Sequence, residues 1–206
     1  MVTLMKKRML FLILLLIAAQ PVCYGQKTFQ NLNFESSIPP TDPAGFPDLK
    51  GWQIFGSGFG YDTISLGGTS VILHDSDSPY LQPLIGNFSI LLVNGFQGNG
   101  EVGIAKIAQT GAVPTGTRSV RFVATSLSPV VSFAGNSLAV QQVGSTARYN
   151  VFTGDISSFV GQTGELRFSQ TRLFDQVTFS PVAVPEPAVV VLIVAGGLLF
   201  IFTRRS

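Results

Sequence analysis

Hydrophobic and polar positions alternate in short runs along the middle of the chain. Leu32 and Phe34 share one parity in Asn31-Leu32-Asn33-Phe34. Val120 and Phe122 do so around Arg121, and Leu166 and Phe168 around Arg167. Gln176-Val177-Thr178-Phe179 repeats the pattern. Side chains two apart stand on one face of a strand, so each run predicts a strand with one buried face. Ile90 to Val93 is apolar without a break, as a central strand covered on both faces would be. Val102 and Ile104 lie on one parity and Ile107 on the other, which predicts a bulge near Ala105. Glycine is frequent between the runs and helix signals are nearly absent. The one helical hint is Asp155-Ile156-Ser157-Ser158-Phe159, where Asp155 could cap a single turn. Two sheets packed face to face would satisfy these half-buried strands, so the predicted class is an all-β sandwich.

The two ends follow another logic. Lys6, Lys7 and Arg8 precede an apolar stretch from Met9 to Ala19, and Cys23 and Gly25 stand three and one residues before a cut at Gln26. That is the layout of a secretory signal peptide over residues 1–25. The apolar stretch, at ~1.5 Å per residue, is too short for a ~30 Å hydrocarbon core, although an uncleaved anchor is the alternative. Gln20-Pro21-Val22 before the cysteine argues against a lipoprotein signal. Cys23 is the only cysteine. Cleavage after Gly25 would leave a body, residues 26–181, without thiol or disulfide and dependent on its core. At the other end, residues 182–206 carry Pro185-Glu186-Pro187, an uncharged span over 188–202, and then Arg204-Arg205. As a helix that span could cross a locally thinned bilayer, with the arginines kept on the cytoplasmic side. The two prolines hold the preceding segment extended and open to a processing enzyme.

Charge changes the picture once it is divided. The chain holds 13 Lys and Arg against 11 Asp and Glu. Five of the positives lie at the extreme ends and one negative lies in the tail, leaving 8 positive and 10 negative in the body. The basic balance therefore belongs to the ends. No basic cluster in the body offers a nucleic-acid footprint.

The ordered tail resembles the PEP-CTERM sorting signal of exported proteins in Gram-negative bacteria, over roughly the last 25 residues. The resemblance implies recognition by an exosortase-type membrane protease near Pro185, Glu186 and Pro187. The body is then released or moved to the cell surface, where exopolysaccharide or surface proteins are its expected partners. Within the body, FQNLNFESS, LKGW, YLQPLIGNFSILLVNG and the closing Phe174-Asp175-Gln176-Val177-Thr178-Phe179 are similar in order to jelly-roll domains of the galactose-binding, carbohydrate-binding-module type. That resemblance implies pairing of the first and last strands, with Phe34 near Phe179. It also implies a structural calcium at Glu35 and Asp175. The alternative for those two is strand ends facing water. Asp75 and Asp77 form a second acidic pair in a turn.

Candidate chemistry is sparse. His74 is the only histidine, and adjacent Asp75 would point to the opposite face of a strand, so the two form no dyad. A strand-end or loop histidine is the plainer reading. Glu35, Asp62, Asp75, Asp77, Glu101, Asp155, Glu165 and Asp175 are the body's acids one could pair for glycoside hydrolysis, but none sits in a glycosidase motif. Sugar binding needs an exposed aromatic platform. Trp52, after Lys50-Gly51, reads as core. Phe55, Phe59 and Tyr61, in a glycine-rich stretch, and Tyr80 are the candidate surface aromatics. The stretch is no phosphate loop, since no Gly-Lys-Ser/Thr follows it. The sequence thus points to a non-catalytic, exported binding or structural protein, with a secreted carbohydrate-active enzyme as the alternative.

Overall fold

The alternating runs at 119–122 and 165–168 become strands of two facing sheets. The computed structural model describes residues 28–42, 46–64, 67–96 and 101–185. The expected signal peptide and the sorting residues Glu186, Pro187, Arg204 and Arg205 lie outside them, as does the apolar span 188–202. Among the described residues no helix is long and apolar enough to cross a membrane.

The strands are β1 (Gln53–Phe55), β2 (Gly58–Tyr61), β3 (Ser70–Asp75), β4 (Phe88–Val93), β5 (Gly95–Phe96), β6 (Val102–Gly103) and β7 (Lys106–Ala112). They continue with β8 (Ser119–Ala124), β9 (Val130–Phe133), β10 (Asn136–Ser137), β11 (Val140–Ser145), β12 (Asn150–Asp155), β13 (Thr163–Ser169) and β14 (Leu173–Ser180). The larger sheet runs β11-β12-β8-β14-β4-β3-β2 and the smaller β1-β7-β13-β9-β10, while β5 and β6 form a separate ribbon. Pairing is antiparallel except between β2 and β3.

The core lies between the sheets. Val120, Phe122 and Phe174 from the larger sheet meet Ile107, Val131, Leu166 and Phe168 from the smaller. Arg121, between the first two, is exposed. The period of two is thus realised at these strands. Ile90 and Leu92 join the main core, whereas Leu91 joins Ile72, Val123 and Leu173 on the other face. Leu81, Leu84 and Ile85 cover that second face. The unbroken apolar run at 90–93 therefore has the physical cause expected of it, a strand covered on both sides.

Rings join the layers. Phe168 lies edge-on to Phe122 at 5.2 Å and to Trp52 at 6.1 Å, and stacks on Phe174 at 5.2 Å. Trp52 is buried, and its Nε1–H donates to the Asn31 carbonyl at 3.0 Å. The core assignment of Trp52 is therefore correct.

Three local expectations are revised. Asn31–Phe34 is not a strand: Asn31 (φ 47°) and Phe34 (φ 59°) are left-handed, which breaks the extended backbone. Phe34 consequently packs on Phe174 at 5.4 Å and Trp52 at 5.5 Å, while Phe29 is the ring beside Phe179, at 5.1 Å. A single bond, Val177 N–H to the Leu32 carbonyl at 2.9 Å, ties this segment to β14. The parity change near Ala105 is a change of sheet, not a bulge: β6 ends at Gly103, and Ala105 N–H turns to the Asn94 side chain at 3.0 Å. At the 3-10 turn Ser157–Phe159 the cap position is Ile156, and Asp155 instead accepts from Ser157 N–H at 2.9 Å and Ser157 Oγ at 2.7 Å. His74 takes the strand-end position of its two expected places, next to last in β3, and is fully buried there.

Candidate ligand-binding site

Three strands of the smaller sheet bring outward-facing side chains to one place. Ile54, Ile107 and Phe168 turn into the core, so Phe55, Lys106 and Arg167 stand on the opposite face. Phe55 is the cross-strand partner of Lys106, and Lys106 of Ser169. Arg167 lies two residues from Ser169 on that same face. Its guanidinium carbon sits 4.8 Å over the Phe55 ring, and its Nη2 pairs with Glu165 Oε1 at 2.7 Å. The aromatic face and the Glu165 carboxylate hold the guanidinium from two directions.

Loops complete a cleft of about 730 Å³, lined by Phe55, Lys106 and Arg167 together with Ser57, Thr69, Phe96, Ile104 and glycines 56, 67 and 68. Ser57 N–H donates to the Thr69 carbonyl at 2.9 Å, and Ser57 Oγ to the same carbonyl at 2.8 Å. Close approach of the loops needs glycine: a Cβ on Gly95 would lie 2.2 Å from the Gly68 carbonyl oxygen. Phe96 stands 73% exposed and Phe55 37%. Large apolar rings left in water around a concave site are the usual mark of a surface that meets a ligand.

Of the four aromatics singled out in the sequence, only Phe55 reaches the cleft. Phe59 packs against the core and stacks on Phe46 at 6.1 Å. Tyr61 donates its hydroxyl to Asp75, and burial with that carboxylate raises its pKa. Tyr80 is exposed but lies elsewhere. Phe96 was missed, although it sits in the same kind of glycine-rich context as Phe55. Lys106 and Arg167 carried no sequence signal, because their meeting depends on strand register.

The two calcium candidates do come to one segment. Asp175 is fully buried. Its Oδ2 accepts from Ser89 Oγ at 2.8 Å and Ile85 N–H at 3.2 Å, and its Oδ1 from Gln176 N–H at 2.6 Å. Glu35 Oε1 accepts from Asn87 N–H at 2.9 Å and Phe88 N–H at 3.3 Å, and its Oε2 from Asn87 Nδ2 at 2.8 Å. Burial pushes the Asp175 carboxyl up to about 7, helped by the Glu35 charge and opposed by its three hydrogen bonds. Calcium wants six to eight converging oxygens. Here N–H and O–H donors converge on all four carboxylate oxygens, so the pair does not fit a calcium cage. It anchors the turn at 84–88 between the N-terminal segment and β14. Neither residue faces water as a bare strand end. Asp75 and Asp77 are likewise a turn pair, with Asp75 Oδ1 accepting from Asp77 N–H at 2.8 Å.

Gly86 makes the Glu35 anchor measurable. It has φ +67°, and a Cβ there would lie 2.3 Å from Glu35 Oε1. Gly116 has φ +79° with open space around it. Gly116→Ala should cost about 1 kcal/mol for the left-handed backbone alone, and Gly86→Ala about 2–3 kcal/mol, read from denaturant midpoints. Equal losses would remove Glu35 from the account.

His74 gathers what looks like triad chemistry. Its Nδ1 is 3.0 Å from Ser78 Oγ and 3.5 Å from Asp62 Oδ1. A serine nucleophile needs the base on one ring nitrogen and the orienting acid on the other. Both partners here meet the same nitrogen. Burial lowers the His74 pKa and raises that of Asp62, so the group favours its neutral forms. It is a buried polar knot between β3 and the loop after β2. No family model, curated protein or solved structure matches the chain.

Proposed function

We propose that this chain is an exported cell-surface or extracellular-matrix protein whose jelly-roll body binds polysaccharide without catalysis. The cleft beside β1 carries this reading. A sugar ring presents an apolar C–H face that stacks on an exposed aromatic, while its hydroxyls seek polar groups at the edge. Phe55 and Phe96 offer such rings next to Ser57, Thr69, Lys106 and Arg167. Glycoside hydrolysis would ask for two carboxylates flanking the bond. The residues lining the cleft are aromatic, aliphatic, small, hydroxylic or cationic, a set that favours holding a glycan over cutting it.

Sorting rests on the tail: Pro185-Glu186-Pro187, the apolar span and the terminal arginines, with an exosortase-type membrane protease as the processing partner. Intact mass of the host's surface fraction should give a chain ending near Pro185. A chain still ending in Arg204-Arg205-Ser206 in the inner membrane would overturn processing.

For the body, the full chain in mild detergent should be retarded in gels containing the host's exopolysaccharide. Phe55→Ala should weaken that retention about tenfold, the scale of one lost stacking contact. No retardation on any glycan would sink polysaccharide binding and leave a structural or protein-binding body.

A further inference from the structure

The cleft has a charge as well as a shape. Its only charged lining residues are Lys106 and Arg167, both positive. The body as a whole is slightly acidic, with 8 positive against 10 negative side chains, so this is a local departure and not part of a general basic surface. Arg167 is fixed by Glu165 and the Phe55 ring, yet its buried Nε has no hydrogen-bond partner among the described residues. Lys106 forms no salt bridge among the described residues, though its strand register holds it directly opposite Phe55. A cation held in a cleft without a protein anion leaves its electrostatic partner to a ligand.

We infer that the cleft selects acidic polysaccharide: the ring of a uronic acid unit stacks on Phe55, and its carboxylate meets the Lys106 ammonium. This rests on the polysaccharide-binding reading and adds a ligand class to it. Two cations suit one or two sugar carboxylates. A nucleic-acid strand, with a phosphate at every nucleotide, would call for a longer basic track than this body has.

The test compares polygalacturonate oligomers, their methyl esters and a neutral glucan of equal length, against the full chain in detergent. The ester keeps the sugar and removes the charge. Wild type should bind the free acid about ten times more tightly than the ester, the scale of a charge-assisted hydrogen bond, and the gap should shrink in added salt. Lys106→Gln should lower affinity for the acid to that for the ester and leave the ester unchanged. Lys106→Arg should restore much of the preference. Lys106 has no salt bridge to lose, so the Gln variant should melt with wild type. Equal binding of acid, ester and neutral glucan, all lost in Phe55→Ala, would overturn acid selectivity and keep polysaccharide binding. Binding of none would overturn both. Single-stranded DNA held as tightly as the acid would overturn the glycan assignment in favour of polyanions at large.

Discussion

Phe168→Ala should cost about 4 kcal/mol of stability, the largest loss expected of any single substitution in this body. Phe168 is fully buried on β13 and touches three other rings, Trp52, Phe122 and Phe174. Two of those rings, Phe122 and Phe174, belong to the facing sheet. The substitution thus removes a ring from the seam between layers and leaves a cavity walled by rigid aromatics that cannot collapse into it. Phe168→Leu refills most of the volume and should cost about half as much. Urea unfolding of the two variants measures both. A loss below about 1 kcal/mol for the alanine variant would mean that the sheets meet elsewhere.

Asp175 should give the body a stability that falls as pH rises from about 4 to about 7. Its carboxyl titrates near 7 in the folded chain, against 3.8 ordinarily. Between those values the folded state holds a proton that the unfolded state has released, so raising the pH favours unfolding. The stabilisation is whole below about pH 4 and spent above about pH 7. Its size is on the order of 4 kcal/mol at most, from 1.36 kcal/mol per pH unit. Asp175→Asn removes the titration, and its melting temperature should change less than wild type's between pH 4.5 and 7.5. Asp62 is also raised by burial, and the difference between variant and wild type isolates Asp175. Parallel curves for the two proteins would show that Asp175 titrates normally. The three donors from Ile85, Ser89 and Gln176 would then outweigh its burial.

Three of the strands, β8, β13 and β14, could be read from parity alone, because a half-buried strand leaves a period of two in the chain. Val120 with Phe122 and Leu166 with Phe168 are examples. Asn31–Phe34 shows the limit. Its alternation is that of a strand, but left-handed backbone at Asn31 and Phe34 leaves no mark in hydrophobicity. Glu35 and Asp175 could be named as a pair, yet their chemistry could not. It is set by backbone N–H groups at 85, 87 and 88, which every sequence has and none displays. The cleft was the least legible part. Phe55, Lys106 and Arg167 are about 50 and 60 residues apart along the chain, and only the β1-β7-β13 register places them on one patch.

The position of β14 bears on the order in which the chain can be completed. This last strand lies in the middle of the larger sheet, with β11-β12-β8 on one side and β4-β3-β2 on the other. A chain lengthening from its N-terminus therefore makes two three-stranded halves with bare edges before the strand that joins them exists. The first described segment must also wait, since its Leu32 carbonyl is bonded by Val177 N–H. Non-local closure of this kind is slow, and open edges recruit other chains in the meantime. A product cut short before residue 173 would thus be an aggregation hazard rather than a slightly weakened domain. Until β14 is in place, the cell must keep the growing halves apart from one another's copies.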